Sequence, residues 1–207
     1  MKPRPLAFLF LGCAIALAGC SKKTQERAEP GGLRPESAHA GVRPGARDAA
    51  LKFTASPGWM PESPSSPNRQ AQYKLPRAAD DSEDAELVVY YFHGGGGTTQ
   101  ANVDRWIGQF TKPDGTPASD TARITHKIIH GIPLTMVDVS GTYANSMRPM
   151  PQAGGSKAHF RMLAAIAEAG NGPWFIKLTG PFKTVSKWEP SFESFVDSME
   201  YSRPQAD

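Results

Sequence analysis

Glu86-Leu87-Val88-Val89-Tyr90-Tyr91-Phe92 is a nearly continuous apolar run, and its reading decides the fold. A short run of this kind, rich in β-branched and aromatic residues, reads as a central strand. Toward the C-terminus, Gly94 to Gly97 break it, and Thr98 or Thr99 is placed to cap a helix. Val103, Trp106, Ile107 and Phe110 follow at i, i+3, i+4 and i+7, one apolar stripe. Pro113, Asp114, Gly115 and Pro117 end it. Toward the N-terminus, residues 78–84 are acidic and read as a solvated turn. Residues 69–75 alternate, with Ala71, Tyr73 and Leu75 on one face of a half-buried strand. A loop with Pro61, Pro64 and Pro67 separates that strand from a first one at 51–54.

Further along, 123–129 and 132–139 read as a hairpin around His130-Gly131. Residues 143–157 form a long loop with Pro149, Pro151, Gly154 and Gly155. The segments 160–168 and 173–179 then pair across Ala169-Gly170-Asn171-Gly172. A last helix follows Thr184, with Val185, Trp188, Phe192, Phe195, Val196 and Met199 inward. Pro190 removes a helical hydrogen bond there, so a kink or a restart near Glu189 is expected. The sum is an α+β domain: a mostly antiparallel sheet of about six or seven strands with two packed helices.

Two stretches carry a family resemblance. Phe53-Thr54-Ala55-Ser56-Pro57-Gly58-Trp59 opens the domain, and Trp174-Phe175-Ile176-Lys177-Leu178-Thr179-Gly180-Pro181 leads into the last helix with Phe192, Phe195 and Ser198. Together they resemble the beginning and end of Mog1/PsbP-like domains, as found in a group of uncharacterised bacterial lipoproteins. These are packing motifs without catalytic residues. The resemblance implies a non-enzymatic role in binding other proteins or assisting assemblies.

The N-terminus gives an address. Lys2 and Arg4 precede an uncharged stretch, 6–18, whose apolar residues are Leu6, Phe8, Leu9, Phe10, Leu11, Ile15 and Leu17. It is shorter than the roughly 20 residues a membrane-spanning helix needs and has the flanks of a secretory signal. Leu17-Ala18-Gly19-Cys20 resembles the lipobox of bacterial lipoproteins, which implies a diacylglycerol thioether on Cys20 as the mature first residue. Cys13 competes less well, because Phe10 and Leu11 precede Gly12. The expected layout is a signal peptide at 1–19, a tether at 20–48, the domain at 49–202 and a tail at 203–207. The tether is rich in Pro, Gly and charge, too poor in apolar surface to fold. Ser21 stands where an aspartate would, by that resemblance, favour inner-membrane retention. The outer membrane, facing the periplasm, is therefore the favoured site. Acyl chains on Cys20 make membrane lipid the first partner, and an envelope protein is the expected second.

Only two cysteines occur. With Cys13 removed and Cys20 acylated, the domain has no thiol for disulfide or thiolate chemistry. The formal charge is +3, and losing Lys2 and Arg4 leaves +1, which argues against nucleic acid as a partner.

Chemistry is sparse. Tyr91-Phe92-His93-Gly94-Gly95-Gly96-Gly97 resembles the HGGG oxyanion loop of lipases and esterases, making a small envelope hydrolase the alternative reading. No G-x-S-x-G elbow accompanies it; Ser140 and Ser156 lack flanking glycines on both sides. A flexible strand-to-helix turn is the simpler account of the glycines. No G-x-x-x-x-G-K-[ST] phosphate loop is present. His126 and His130 share a strand face too far apart for one ion, and Asp80, Asp81, Glu83 and Asp84 lack calcium-loop spacing. No catalytic residue, cofactor or metal site is assigned. Trp106, Trp174 and Trp188 read as core, with Trp59 capping the sheet, and the methionines Met147 and Met150 suit an adaptable contact surface.

Overall fold

A computed structural model describes residues 50–93, 95–144 and 155–202. The signal segment, Cys20, the tether, Gly94, the loop methionines and the tail lie outside the described residues. Along the chain run β1 (Ala50–Lys52), β2 (Met60–Glu62), β3 (Arg69–Leu75), β4 (Ala85–Tyr91), helix α1 (Thr99–Ile107) and β5 (Phe110–Thr111). After a 3-10 turn (Ala118–Asp120) come β6 (Arg123–Ile129), β7 (Ile132–Tyr143), β8 (Lys157–Ala169), β9 (Gly172–Pro181), helix α2 (Phe182–Asp197) and β10 (Glu200–Ser202).

Eight strands form one sheet in the order β2-β3-β4-β9-β8-β7-β5, with β6 also on β7. All its pairings are antiparallel. The class is therefore α+β, as expected. The strand total exceeds six or seven because β2 and β5 have three and two residues, too few to show a period. The opening strand pairs not with the main sheet but with β10, Ala50 opposite Ser202, so the two ends of the domain meet.

The apolar run at 86–92 becomes β4, between β3 and β9. Alternate residues of the long strands feed two cores. Leu87, Val89, Leu163, Ala165, Ile176 and Leu178 face α2, joined by Val185, Phe192, Phe195 and Val196. Phe175, Met162, Ala164, Ile166, Val137 and Val139 face α1, joined by Val103, Trp106 and Ile107. Phe110 is buried with that second group, yet it belongs to β5 and not to the helix, which ends at Ile107.

Both turns expected from glycine pairs occur. His130 and Gly131 have φ of 48° and 79°, the left-handed pair of a tight hairpin, and Ala169 sits opposite Gly172. The strand at 69–75 has the expected ends, and Ala71, Tyr73 and Leu75 pack on the α2 side.

The resemblance motifs converge. Phe53 and Trp59 flank Phe195 of α2, with ring centroids 5.0 and 5.2 Å away. Thr54 N–H donates to Ser198 Oγ, and Trp59 Nε1 to Ser191 Oγ. The segment is thus a strap along α2. Trp106, Trp174 and Trp59 are buried; Trp188 is only partly so and donates to the Pro76 carbonyl.

Helix α2 corrects one expectation. It begins at Phe182 and runs as one continuous helix through Pro190, without a restart near Glu189. Its preceding residue, Pro181, supplies no capping side chain. Asp81 does so instead, its Oδ2 accepting from Thr184 N–H at 2.7 Å and Thr184 Oγ1 at 2.6 Å. A carboxylate there satisfies an orphan donor and suits the positive end of the helix. No helix among the described residues is long and apolar enough to cross a membrane.

Candidate functional site

The glycine loop is a packing device. Gly95 N–H donates to the Phe92 carbonyl at 2.9 Å, so it is not directed at a ligand. Gly96 has φ of +98°, and a Cβ there would lie 2.8 Å from Phe175 Cε2. Buried Asn102 of α1 holds the loop by donating to the carbonyls of Gly96 and Thr98, both at 2.8 Å. The Thr98 side chain accepts from Ala101 N–H, capping the helix. His93 has φ of 49° and its ring packs on Tyr91, 4.9 Å between centroids.

Register separates this loop from the candidate serines. Tyr91 aligns with Trp174, Ala167 and Leu134 across the sheet. Ser140 lies six residues beyond Leu134 on β7, roughly 20 Å at the rise of a strand. Ser156 precedes β8, whose first residue Lys157 pairs with Tyr143, farther still. His93 and these serines stand at opposite ends of the sheet.

The acidic run is an exposed turn, as expected, but its carboxylates are engaged. Asp81 caps α2, Asp80 pairs with Lys183 at 2.8 Å, Glu83 with Lys157 at 2.5 Å, and Asp84 accepts from Arg77 N–H. The carboxylates diverge to separate partners. His126 bonds Thr135 Oγ1, whereas Nδ1 of His130 donates to the Met199 carbonyl, so those two rings are engaged separately. Among the described residues no three potential metal ligands cluster.

Two charged centres, one on each face of the sheet, were not singled out by the sequence reading. On the α2 side, Arg161 is buried. Its Nε and Nη2 donate to Asp138 and its Nη1 and Nη2 to Glu189, while Nη1 also reaches Ser186 Oγ at 2.9 Å. All five guanidinium donors are used. Burial raises the Asp138 pKa, but hydrogen bonds from Arg161 and Arg123 outweigh it and hold the carboxyl below its usual range. This centre is internally neutralised.

On the α1 side the nine-residue helix leaves part of the sheet open. A cleft of about 280 Å³ lies there, with Arg69, Glu86, Tyr90, Phe160 and Lys177 on its walls and floor. Three of its cations lie over rings: Arg69 on Tyr90 at 5.4 Å, Lys157 on Phe160 at 5.2 Å and Lys177 on Trp106 at 5.7 Å. Arg69 is paired with Glu86 at 2.9 Å and Lys157 with Glu83. Lys177 differs. Its Nζ donates to Gln109 Oε1 at 3.3 Å, and no ion pair is formed with it among the described residues. Burial pulls its pKa down to about 8, and repulsion from Arg105 acts in the same sense. Burial raises the pKa of Tyr90 and Tyr143, keeping both phenols protonated at neutral pH.

A signal for both centres exists in the sequence. Lys177 is the single charge in Trp174-Phe175-Ile176-Lys177-Leu178, and Arg161 interrupts the apolar stretch from Phe160 to Ile166. A charge inside a strand buried on both faces must find a partner or serve a ligand.

No family model matches the chain, and no curated protein matches it by sequence. Among solved structures, it is similar to PA94 of Pseudomonas aeruginosa, a protein of unknown function. The identity is 13%, 75% of this chain and 99% of that one are covered, and the TM-score is 0.44. It is also similar to cyanobacterial PsbP (CyanoP) of Synechocystis sp. PCC 6803, at 10% identity, 74% and 94% coverage and a TM-score of 0.43.

Proposed function

We propose that this protein is a lipid-anchored lipoprotein of the bacterial envelope whose Mog1/PsbP-like domain is a non-enzymatic binding module. Anchorage rests on the signal segment and Leu17-Ala18-Gly19-Cys20, with the outer membrane facing the periplasm as its location and an envelope protein as a partner. The observation that carries the binding reading is the open cleft over Lys177, where a cation meets aromatic walls without a nucleophile–base pair. The hydrolase alternative loses its support in the glycine loop, where Gly95 N–H is engaged and the serines lie at the other end of the sheet.

Two measurements on the full chain test this. Cys20→Ala is expected to keep the precursor mass, because no thioether can form at that position. Processing of this variant to the mature mass would contradict the anchor. The parent protein is expected to show no turnover of short-chain nitrophenyl esters; turnover abolished by His93→Ala would establish the hydrolase instead.

A further inference from the structure

The geometry points to the cleft over Lys177 as a binding site for a small organic monoanion, a carboxylate carried on a flat apolar body. This inference rests on the binding-module reading and names its ligand class. Charge is the first argument. The other cations of the cleft, Arg69 and Lys157, each have a carboxylate partner. Lys177 has none within ion-pair distance among the described residues, Glu86 attracting it only from farther off. Withdrawing an unpaired ammonium from water is costly, and a bound anion would supply the missing counter-charge.

Shape and the acidic rim narrow the class. A volume of about 280 Å³ is at the lower limit of ligand pockets, roughly 300 Å³, which suits a single ring and its substituent. Tyr90 and Phe160 line the cleft, and the ring of Trp106 lies against the Lys177 ammonium. Glu83, Asp84 and Glu86 also line the cleft. They make it unfavourable for a polyanion while leaving room for one negative charge at Lys177. A nucleic acid or a dianionic phosphate therefore fits poorly.

The test uses the full chain titrated with phenylacetate and, separately, inorganic phosphate, followed by calorimetry and by tryptophan fluorescence, to which Trp106 contributes beside Lys177. Phenylacetate is expected to bind at one saturable site, at least tenfold more tightly than phosphate. Lys177→Met should weaken it at least tenfold while melting at or above the parent temperature. Affinity should fall as pH rises from 7 to 10 and the ammonium loses its proton. Absence of saturable phenylacetate binding by folded parent, unchanged affinity in Lys177→Met, or phosphate binding as tight as phenylacetate would overturn the inference. Failure of this kind in a protein without ester turnover removes the ligand class alone, whereas ester turnover removes the binding-module reading.

Discussion

Arg161 and Lys177 are cations set within apolar stretches of β8 and β9, and their surroundings assign them opposite tasks. Arg161 spends all five donors on Asp138, Glu189 and Ser186, linking β7 and β8 to α2. Removing it leaves Glu189 without its partner and Asp138 with Arg123 alone, so Arg161→Met should lose about 3 kcal/mol in urea unfolding at pH 7. The sign with pH follows from Asp138, whose folded pKa is lowered. Its contribution is present above the ordinary carboxylate range and lost as pH falls through the folded value. In Arg161→Met that contribution is reduced to what Arg123 supplies, so the gap between parent and variant should narrow on acidification; a gap that widens would show that Asp138 is not held by Arg161. Gly96 belongs to the same scale: its positive φ and the 2.8 Å approach to Phe175 account for a glycine without any oxyanion role.

At the scale of elements, α2 shows what a sequence does and does not disclose. Its inward residues Val185, Phe192, Phe195 and Val196 are buried as periodicity indicates. Its start is two residues earlier than Thr184, because the capping group comes from Asp81, 103 residues upstream. No local pattern can report a cap that arrives from another loop, so the acidic run read as an exposed turn, which it is, without disclosing the Asp81 carboxylate that caps α2. Asp81→Asn should lower stability by about 1 kcal/mol, measured as a lower melting temperature at neutral pH; an unchanged melt would show that the cap contributes nothing. The strand at 69–75 and the turn at His130-Gly131 were legible because alternation and positive-φ preference are local properties, and the turn before Gly172 takes its positive φ at that glycine. The three-residue β2 and two-residue β5 were not, being set by pairing with neighbours and not by a period of their own.

Over the whole molecule, the two faces of the sheet are covered unequally. The sixteen-residue α2 and the strap carrying Phe53 and Trp59 cover one face, whose buried charge is fully compensated. The nine-residue α1 covers the other face in part and leaves Lys177 at the floor of a cleft. The two-sided apolar character of β8 and β9 was readable from their sequences, but which face a helix leaves open depends on helix length and docking. The uncompensated lysine has a thermodynamic signature. With a folded pKa of about 8 against an ordinary 10.5, the folded state binds fewer protons between those values. Lys177 therefore opposes folding most below pH 8, and that opposition is relieved as pH rises toward 10.5. Lys177→Met should remove this pH dependence along with the binding of phenylacetate. The most direct test is an NMR titration of the Lys177 ε-methylene in the full chain without ligand, from pH 6 to 12. A midpoint near 8 is expected if the ammonium sits in the cleft without a counter-charge; a midpoint at or above 10.5 would show it solvated or paired and would contradict the account.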